Sequence, residues 1–302
     1  MAFFSIVIPV FNRANFISKT IDSIKNQTYS DWECIIVDDG SSDNLKEIAT
    51  GLIKDDERIK YVFQNNKERS AARNNGIKHS NGKYICFLDS DDFFLENHLF
   101  DLYERIEQEK FPVGLFFTNM IISQNNVIEH LLFPSLDNEI IPYLFQNPII
   151  PGRVCIENTI LQHVFFDEDI VIVEDLLLWV KIALKFRVFH IEKETVVYSL
   201  HADNSINIKN NSALKRLNGI QLFLKKYPEI KSKIPRKLWS DTIGDTHFNI
   251  MKYHLFNKNK ILAIKHLCYS IFYQKKHPQL KHKLLVLFKL FFNRKIPEYN
   301  IN

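Results

Sequence analysis

Apolar and polar positions along the first 117 residues follow two periods in turn, and together they predict strands and helices in alternation. SIVIPVF (5–11) is a continuous, β-branched apolar run, the pattern of a strand buried on both faces. Between Arg13 and Gln27, Ile17, Ile21 and Ile24 recur at helical spacing. ECIIV (33–37) predicts a second strand and is followed by the turn-rich DDGSSDN (38–44). Leu45, Ile48, Ala49 and Leu52 mark a helix, IKYVF (59–63) a third strand, SAARNNGI (70–77) a short helix and KYICFL (83–88) a fourth strand. Leu95, Leu99, Leu102 and Ile106 give the next helix, and VGLFF (113–117) the next strand. This order predicts an α/β fold, an open and mostly parallel sheet with helices on both faces and right-handed crossovers.

From about 118 to 172 the pattern weakens, with Pro134, Pro142, Pro148 and Pro151 punctuating short apolar segments. EDLLLWVKIALKF (174–186) predicts a helix opened by two acids, and TVVYSL (195–200) a strand that ends at His201. Beyond about 205 the chain reads as helical and basic. No internal repeat at a fixed period is present.

Composition narrows the picture. With 302 residues, 46% hydrophobic and 25% charged, the chain is globular and neither disordered nor low-complexity. Its 8 glycines argue against a phosphate site built from a glycine-rich loop. No apolar run is long enough to span a membrane. MAFFSIVIPVFN lacks the basic start and the small-residue cleavage site of a signal peptide. Cys34, Cys86, Cys155 and Cys268 form no metal-ligand or C-x-x-C spacing; with no leader, this predicts a reducing cytoplasm. The net charge of +4 hides a reversal: residues 1–204 hold 19 Lys and Arg against 31 Asp and Glu, and residues 205–302 hold 20 against 4. Two parts with different partners are implied.

In open α/β sheets ligands bind beyond the carboxyl ends of the strands. Three segments rich in polar chemistry fall there: PVFNR, DDGSSD and DSDD. Asp89, Asp91 and Asp92 read either as the N-cap of a helix beginning near Phe93 or as ligands of a divalent cation. Three clustered acids repel one another, and no Arg or Lys adjoins them in sequence. All-oxygen ligands would select Mg²⁺ or Mn²⁺. Asp38 and Asp39 read as a cap acting through Ser41, Ser42 and Asp43, or as acceptors for a nucleobase or ribose. Glu174 and Asp175 suit a helix N-terminus, and His201 suits a hydrogen-bonded loop. No G-x-S-x-G, P-loop, G-x-G-x-x-G or H-E-x-x-H occurs, which removes support for serine hydrolases, P-loop kinases, nicotinamide dehydrogenases and zinc proteases.

SIVIPVFNRANFISKTIDSIKNQTYSDWECIIVDDGSSDN closely resembles the start of the nucleotide-binding domain of family-2 inverting glycosyltransferases. The resemblance continues through SAARNNGIKHSNGKYICFLDSDD, with Asp89-Ser90-Asp91 as the family's Asp-x-Asp motif, through FDEDIVIVEDLLLWVKIA and into VVYSLHADNSI, about residues 3–207 in all. It implies a GT-A domain over 1–207, followed by a basic helical region over 208–302. It implies a hexosyl- or N-acetylhexosaminyltransferase of bacterial surface-polysaccharide type, using a nucleotide-sugar (a UDP-sugar by family frequency), a divalent metal, and a glycan or lipid-linked acceptor. Carried over by position, Pro9, Val10, Phe11 and Arg13 would line the nucleoside pocket. Asp39 would accept from the base with Asp38 beside it, and Asp89 and Ser90 would lie near the nucleotide. Asp91 would hold the metal, joined by His201, and Asp175 would be the catalytic base, helped by Glu174. Where many relatives have Gly and a small apolar residue before SAARN, this chain has Glu68 and Arg69. Arg69 then either contacts the diphosphate or base, or is solvated.

The basic region leaves two readings open: a helical appendage with a solvated lysine face, or an attachment to membrane. LKHKLLVLFKLFFNRK (280–295) mixes apolar and basic residues as in-plane membrane helices do, predicting peripheral binding to the anionic cytoplasmic face of the inner membrane. Nucleic acid is not expected, because no recognition motif accompanies the basic surface. A nucleotidyltransferase would need a glycine- and arginine-rich N-terminal loop that PVFNRAN does not supply. A catalytically degenerate binding module or a membrane-scaffold subunit is the remaining alternative, and it has no use for a base at Asp175.

Overall fold

The computed structural model describes residues 2–125, 127–131, 133–135, 139–147, 149–201, 211–275 and 278–291. The expected boundary at 207/208, Pro148, ADNSI (202–206) and residues 292–295 of the last basic run lie outside them. The chain divides into two units, Met1–His201 and Ala202–Asn302.

The first unit is built on one sheet. β1 (Phe4–Val10), β2 (Trp32–Asp38), β3 (Ile59–Phe63) and β4 (Tyr84–Phe87) are joined by α1 (Ala14–Lys25), α2 (Leu45–Asp55) and α3 (Glu68–His79). These four strands are mutually parallel in the order β3-β2-β1-β4. Every residue of β2 and all but Pro9 of β1 are buried, as continuous apolar runs require of a sheet covered on both faces. Ile17, Ile21 and Ile24 of α1 pack into that core. α3 has no apolar stripe and is buried along most of its length; a Cβ on Gly76 would come within 2.3 Å of Val7 Cγ1, so glycine permits its close approach to β1.

Two features differ from the sequence expectation. No helix begins near Phe93: Phe93–Phe94 is a short strand, β5, antiparallel to a later strand, and α4 (His98–Gln108) starts four residues on. The acids of DSDD therefore cap no helix; Asp92 Oδ1 accepts from Ser199 N at 2.8 Å instead. The segment from 118 to 172 also holds more order than its pattern shows. β6 runs over Gly114–Gln124 and hairpins into β7 (Val127–His130), then come α5 (Ile140–Gln146), β8 (Val154–Glu157) and α6 (Asn158–Leu161). β8 inserts antiparallel between β4 and β6. Buried Thr118 and Asn119, at an irregularity in the pairing of β6, interrupt the apolar run that would have revealed the strand's length. α7 (Glu174–Ala183) leads to β9 (Arg187–Leu200), which pairs parallel with β6 and antiparallel with β5.

The second unit consists, among the described residues, of α8 (Ser212–Lys226), α9 (Pro228–Lys233), α10 (Arg236–Phe256), α11 (Lys260–Tyr273) and α12 (Leu280–Phe291). Met251, Ala263, Leu267, Val286 and Leu290 form the core shared by α10, α11 and α12. No described helix is long and apolar enough to cross a membrane.

Candidate active site

The loops leaving β1, β2 and β4 lie side by side, because those strands are neighbours in the sheet. The first two are bonded together. Asn12, at φ 52°, donates its N–H to Ser41 Oγ at 3.0 Å and accepts at Oδ1 from Ser42 N at 2.8 Å. Asp43 Oδ2 accepts from Ala14 N at 2.9 Å, so an acid of the second loop caps the helix that follows the first. Gly40 sits at φ 79° with room for no Cβ, 2.8 Å from Asn66 N.

Asp38 and Asp39 are buried; Asp38 caps no helix, whereas the Asp39 side chain accepts from the backbone N–H groups of Lys67 and Glu68 at the start of α3 and so caps that helix. Asp38 accepts from Ser41 N at 2.8 Å and from Tyr61 Oη at 2.6 Å, which makes it an anchor of the loop. Asp39 Oδ1 accepts from Gln64 Nε2 at 2.7 Å and Lys67 N at 2.9 Å; burial pushes its pKa up against those hydrogen bonds. Beside them Val10 is buried, Pro9 half-buried, and Phe11 turned half out to solvent.

A second cluster gathers at Asp91. His201 Nε2 lies 2.9 Å from Asp91 Oδ2, and Arg13 Nε lies 4.0 Å from the same oxygen. Phe16 orders both partners: its ring stacks on His201 at 5.0 Å and lies 5.6 Å from the Arg13 guanidinium carbon. Thr20 Oγ1 donates to the carbonyls of Ser90 and Asp92, both at 2.9 Å, and so fixes the turn that carries Asp91. Burial, reinforced by Asp89 and Asp91, holds the neighbouring Asp92 carboxyl well above the usual carboxylate range.

A third cluster centres on Arg73, which is buried. Its Nη2 donates to Asp89 Oδ1 at 2.8 Å and its Nη1 to Glu174 Oε1 at 2.9 Å. One planar fork thus joins the turn after β4 to the start of α7. Arg69 Nε stands 4.0 Å from the same Glu174 oxygen. Burial and the adjacent Asp175 push Glu174 up to about 7, against the pull of Arg73 and Arg69. Asp175 is less buried than Glu174, and its Oδ1 accepts from Leu176 N at 2.7 Å. The residue before the pair, Val173, takes φ 70°, a left-handed conformation that a β-branched side chain strongly disfavours. Contacts from α3 fix the segment that leads into it: Asn74 bonds both the N–H and the carbonyl of Phe166, and Ser70 Oγ donates to Ile170 O at 3.2 Å. Strain held in place next to two carboxylates is a feature of functional sites.

The positive charge that the sequence did not place beside DSDD is therefore Arg73, 16 positions before Asp89, with Arg13 near Asp91. Tyr61, Gln64 and Val173 were also not singled out. Arg73 alone left a trace, as a charged residue among the small residues of SAARN on a helix with no exposed stripe to carry it.

The donor set also tests the metal expectation. Asp91 Oδ2 and His201 Nε2 converge on one place, while among the described residues no group of three or more His, Cys, Asp or Glu side chains is arranged to hold a metal. Two such donors are too few for a closed protein cage; Asp91 and His201 would hold Mg²⁺ or Mn²⁺ only as part of a shell completed by other ligands.

Residues 5–159 match the model of the family described as Glycosyl transferase family 2. The chain belongs to glycosyltransferase family 2. It is 36% identical over 191 residues to an uncharacterized glycosyltransferase of Rickettsia felis, covering 63% of this chain and 32% of that protein. The chain thus spans about a third of the length of its Rickettsia relatives. It is 30% identical over 210 residues to the GalNAc(5)-diNAcBac-PP-undecaprenol beta-1,3-glucosyltransferase of Campylobacter jejuni, covering 68% of this chain and 67% of that one. Among solved structures, residues 1–349 of TarS from S. aureus align with a TM-score of 0.65 at 16% identity, over 96% of this chain and 89% of that one. The shared fold is the GT-A arrangement expected of a family-2 glycosyltransferase.

Proposed function

We propose that this glycosyltransferase moves a hexosyl or N-acetylhexosaminyl group from a UDP-sugar to a hydroxyl of a glycan or lipid-linked acceptor, with inversion. The observation that carries the reading is the Arg73 fork, which brings the Asp-x-Asp turn and the Glu174-Asp175 pair to one place. Two comparisons support it: TarS has been crystallised with UDP-GlcNAc, and the Campylobacter relative is named for a polyprenyl-diphosphate-linked acceptor.

In-line displacement at the anomeric carbon needs a base for the acceptor proton and positive charge near the leaving diphosphate. Asp175 takes the first role: it is the more exposed member of its pair, and it lies at the N-terminus of α7. Glu174 stays on Arg73 and sets the position of its neighbour. Arg13 and Arg69 supply charge on the donor side, each 4.0 Å from a carboxylate that a diphosphate would compete with. A divalent cation held by Asp91 and His201 would neutralise the leaving diphosphate when bound. The nucleoside end falls to Pro9, Val10, Phe11, Asp38 and Asp39, and the turn of Asp89 and Ser90 lies near the nucleotide.

A panel of UDP-sugars with Mg²⁺ or Mn²⁺, read as UDP release, tests this reading. Wild type should turn over at least one donor in a metal-dependent way, and Asp91→Ala should lose that dependence. Identical metal titrations for the two proteins would remove Asp91 from the metal site.

A further inference from the structure

α12 is apolar on two faces. Lys283, Val286 and Leu290 point into the helical unit, at positions i, i+3 and i+7. The opposite face presents Lys281, Leu284, Leu285 and Phe288, and these three apolar side chains are 47%, 49% and 47% exposed. The inward lysine is what sets this orientation. Lys283 Nζ donates to Ser270 Oγ at 3.0 Å and to Gln274 Oε1, and Gln274 Nε2 in turn donates to Asp245 Oδ1 at 2.9 Å. A helix that only needed to cover α10 and α11 would turn its leucines inward and its lysine to water. Here the lysine and its polar bonds are inside beside Val286 and Leu290, while Leu284, Leu285 and Phe288 are outside. The neighbouring α11 repeats the outward pattern with Ile261, Lys265 and Phe272, the two apolar residues being 82% and 60% exposed.

The charge around these faces selects the occupant. Residues 257–291 contain eight lysines and no Asp or Glu. A second copy would bring like charge against like charge. An apolar face flanked by lysines, on two helices that carry no acid of their own, is the complement of a lipid surface carrying negative headgroups over an apolar interior. We propose that the second unit docks on an anionic bilayer through the outward faces of α11 and α12, with Leu284, Leu285 and Phe288 entering the acyl boundary and Lys281 and Lys289 meeting headgroup phosphates. This deepens the reading of a lipid-linked acceptor and rests on it for its biological use, although the docking itself requires no catalysis.

The full chain is sedimented with phosphatidylcholine vesicles, with and without phosphatidylglycerol, at low and high salt. Wild type should pellet with the anionic vesicles and be largely released by salt. Leu284→Gln/Leu285→Gln/Phe288→Gln should weaken the partition by about tenfold or more, and Lys281→Glu/Lys289→Glu should abolish the preference for phosphatidylglycerol. UDP release by the triple variant without vesicles should match wild type, so that loss of docking and loss of transfer are read separately. No sedimentation of wild type with anionic vesicles overturns the proposal, as does equal sedimentation of the triple variant. It is also overturned if wild type is a dimer that the triple variant splits while neither binds vesicles.

Discussion

Arg73 in the first unit and Lys283 in the second are long cations withdrawn from water, 1% and 0% exposed, and the company they keep differs. Arg73 lies between two carboxylates that come from distant parts of the chain. Lys283 bonds to a hydroxyl and an amide oxygen, with Asp245 3.6 Å away and half exposed. Burial opposes both charges. In Arg73 the attraction of Asp89 and Glu174 overcomes it and the pKa rises; in Lys283 it does not, and the pKa falls. The acidic unit thus spends a buried charge on joining two segments of a site, and the basic unit spends one on orienting a helix.

The largest expected effect breaks the first arrangement. Arg73→Met leaves Asp89 and Glu174 without their shared partner, and removing one member of a buried ion pair costs about 3–5 kcal/mol. Urea unfolding should show this loss, and Arg73→Met/Glu174→Gln should recover part of it by removing the stranded carboxylate. No recovery in the double variant would mean that the fork acts through packing and not through charge.

Within the same cluster, Asp175→Asn separates chemistry from architecture. Asp175 does not share the Arg73 fork, so folding and UDP binding should be close to wild type while turnover falls by about 10²-fold or more. Titration calorimetry with UDP, paired with UDP release, checks both halves. Near-normal transfer would take the base role away from Asp175.

How legible this difference was in the sequence varies by region. The parallel half of the sheet was readable because β1 and β2 are unbroken apolar runs followed by turn residues. The antiparallel insertion was not, because β8 is four residues long and β6 carries Thr118 and Asn119 in its interior. The carboxylates of the site could be named from their place after strands, but their partners could not. Arg73 reaches Asp89 and Glu174 only through the packing of α3, and nothing in local spacing encodes that. The direction of Lys283 was hidden for a related reason: a lysine in an amphipathic stretch is read outward by default, and its inward partners Ser270 and Gln274 come from another helix and the turn after it.

Lys283→Met tests the second half of the comparison. It leaves Ser270 and Gln274 with an unmet buried bond, which costs about 1–3 kcal/mol, less than Arg73→Met because no carboxylate of comparable burial is stranded. Thermal or urea unfolding of the two variants side by side ranks them. A loss as large as that of Arg73→Met would show that Asp245 is a full ionic partner, and the contrast between the two cations would then fail.

The smallest effect concerns a group the first unit keeps neutral. His98 is fully buried between α4 and β9, stacked on Phe94 at 3.8 Å, with Nδ1 2.7 Å from Thr195 Oγ1; burial lowers its pKa to about 3. The unfolded chain takes up this proton near pH 6.5 and the folded chain does not, so the contribution falls away as pH drops below 6.5, by about 1.4 kcal/mol at pH 5.5. Glu174 and Asp92 work in the opposite sense: burial raises their pKa values, so acid favours the folded state through them. The net acid response of wild type mixes the two signs, and only a difference isolates His98. His98→Gln can keep the bond to Thr195 without titrating, so its stability should fall less than that of wild type between pH 6.5 and 5.5, by about 1 kcal/mol, since about 0.4 of the 1.4 is already lost at pH 6.5. Parallel stability curves would mean that His98 accepts a proton in the folded protein, and that this interior is more open to charge than the one around Arg73.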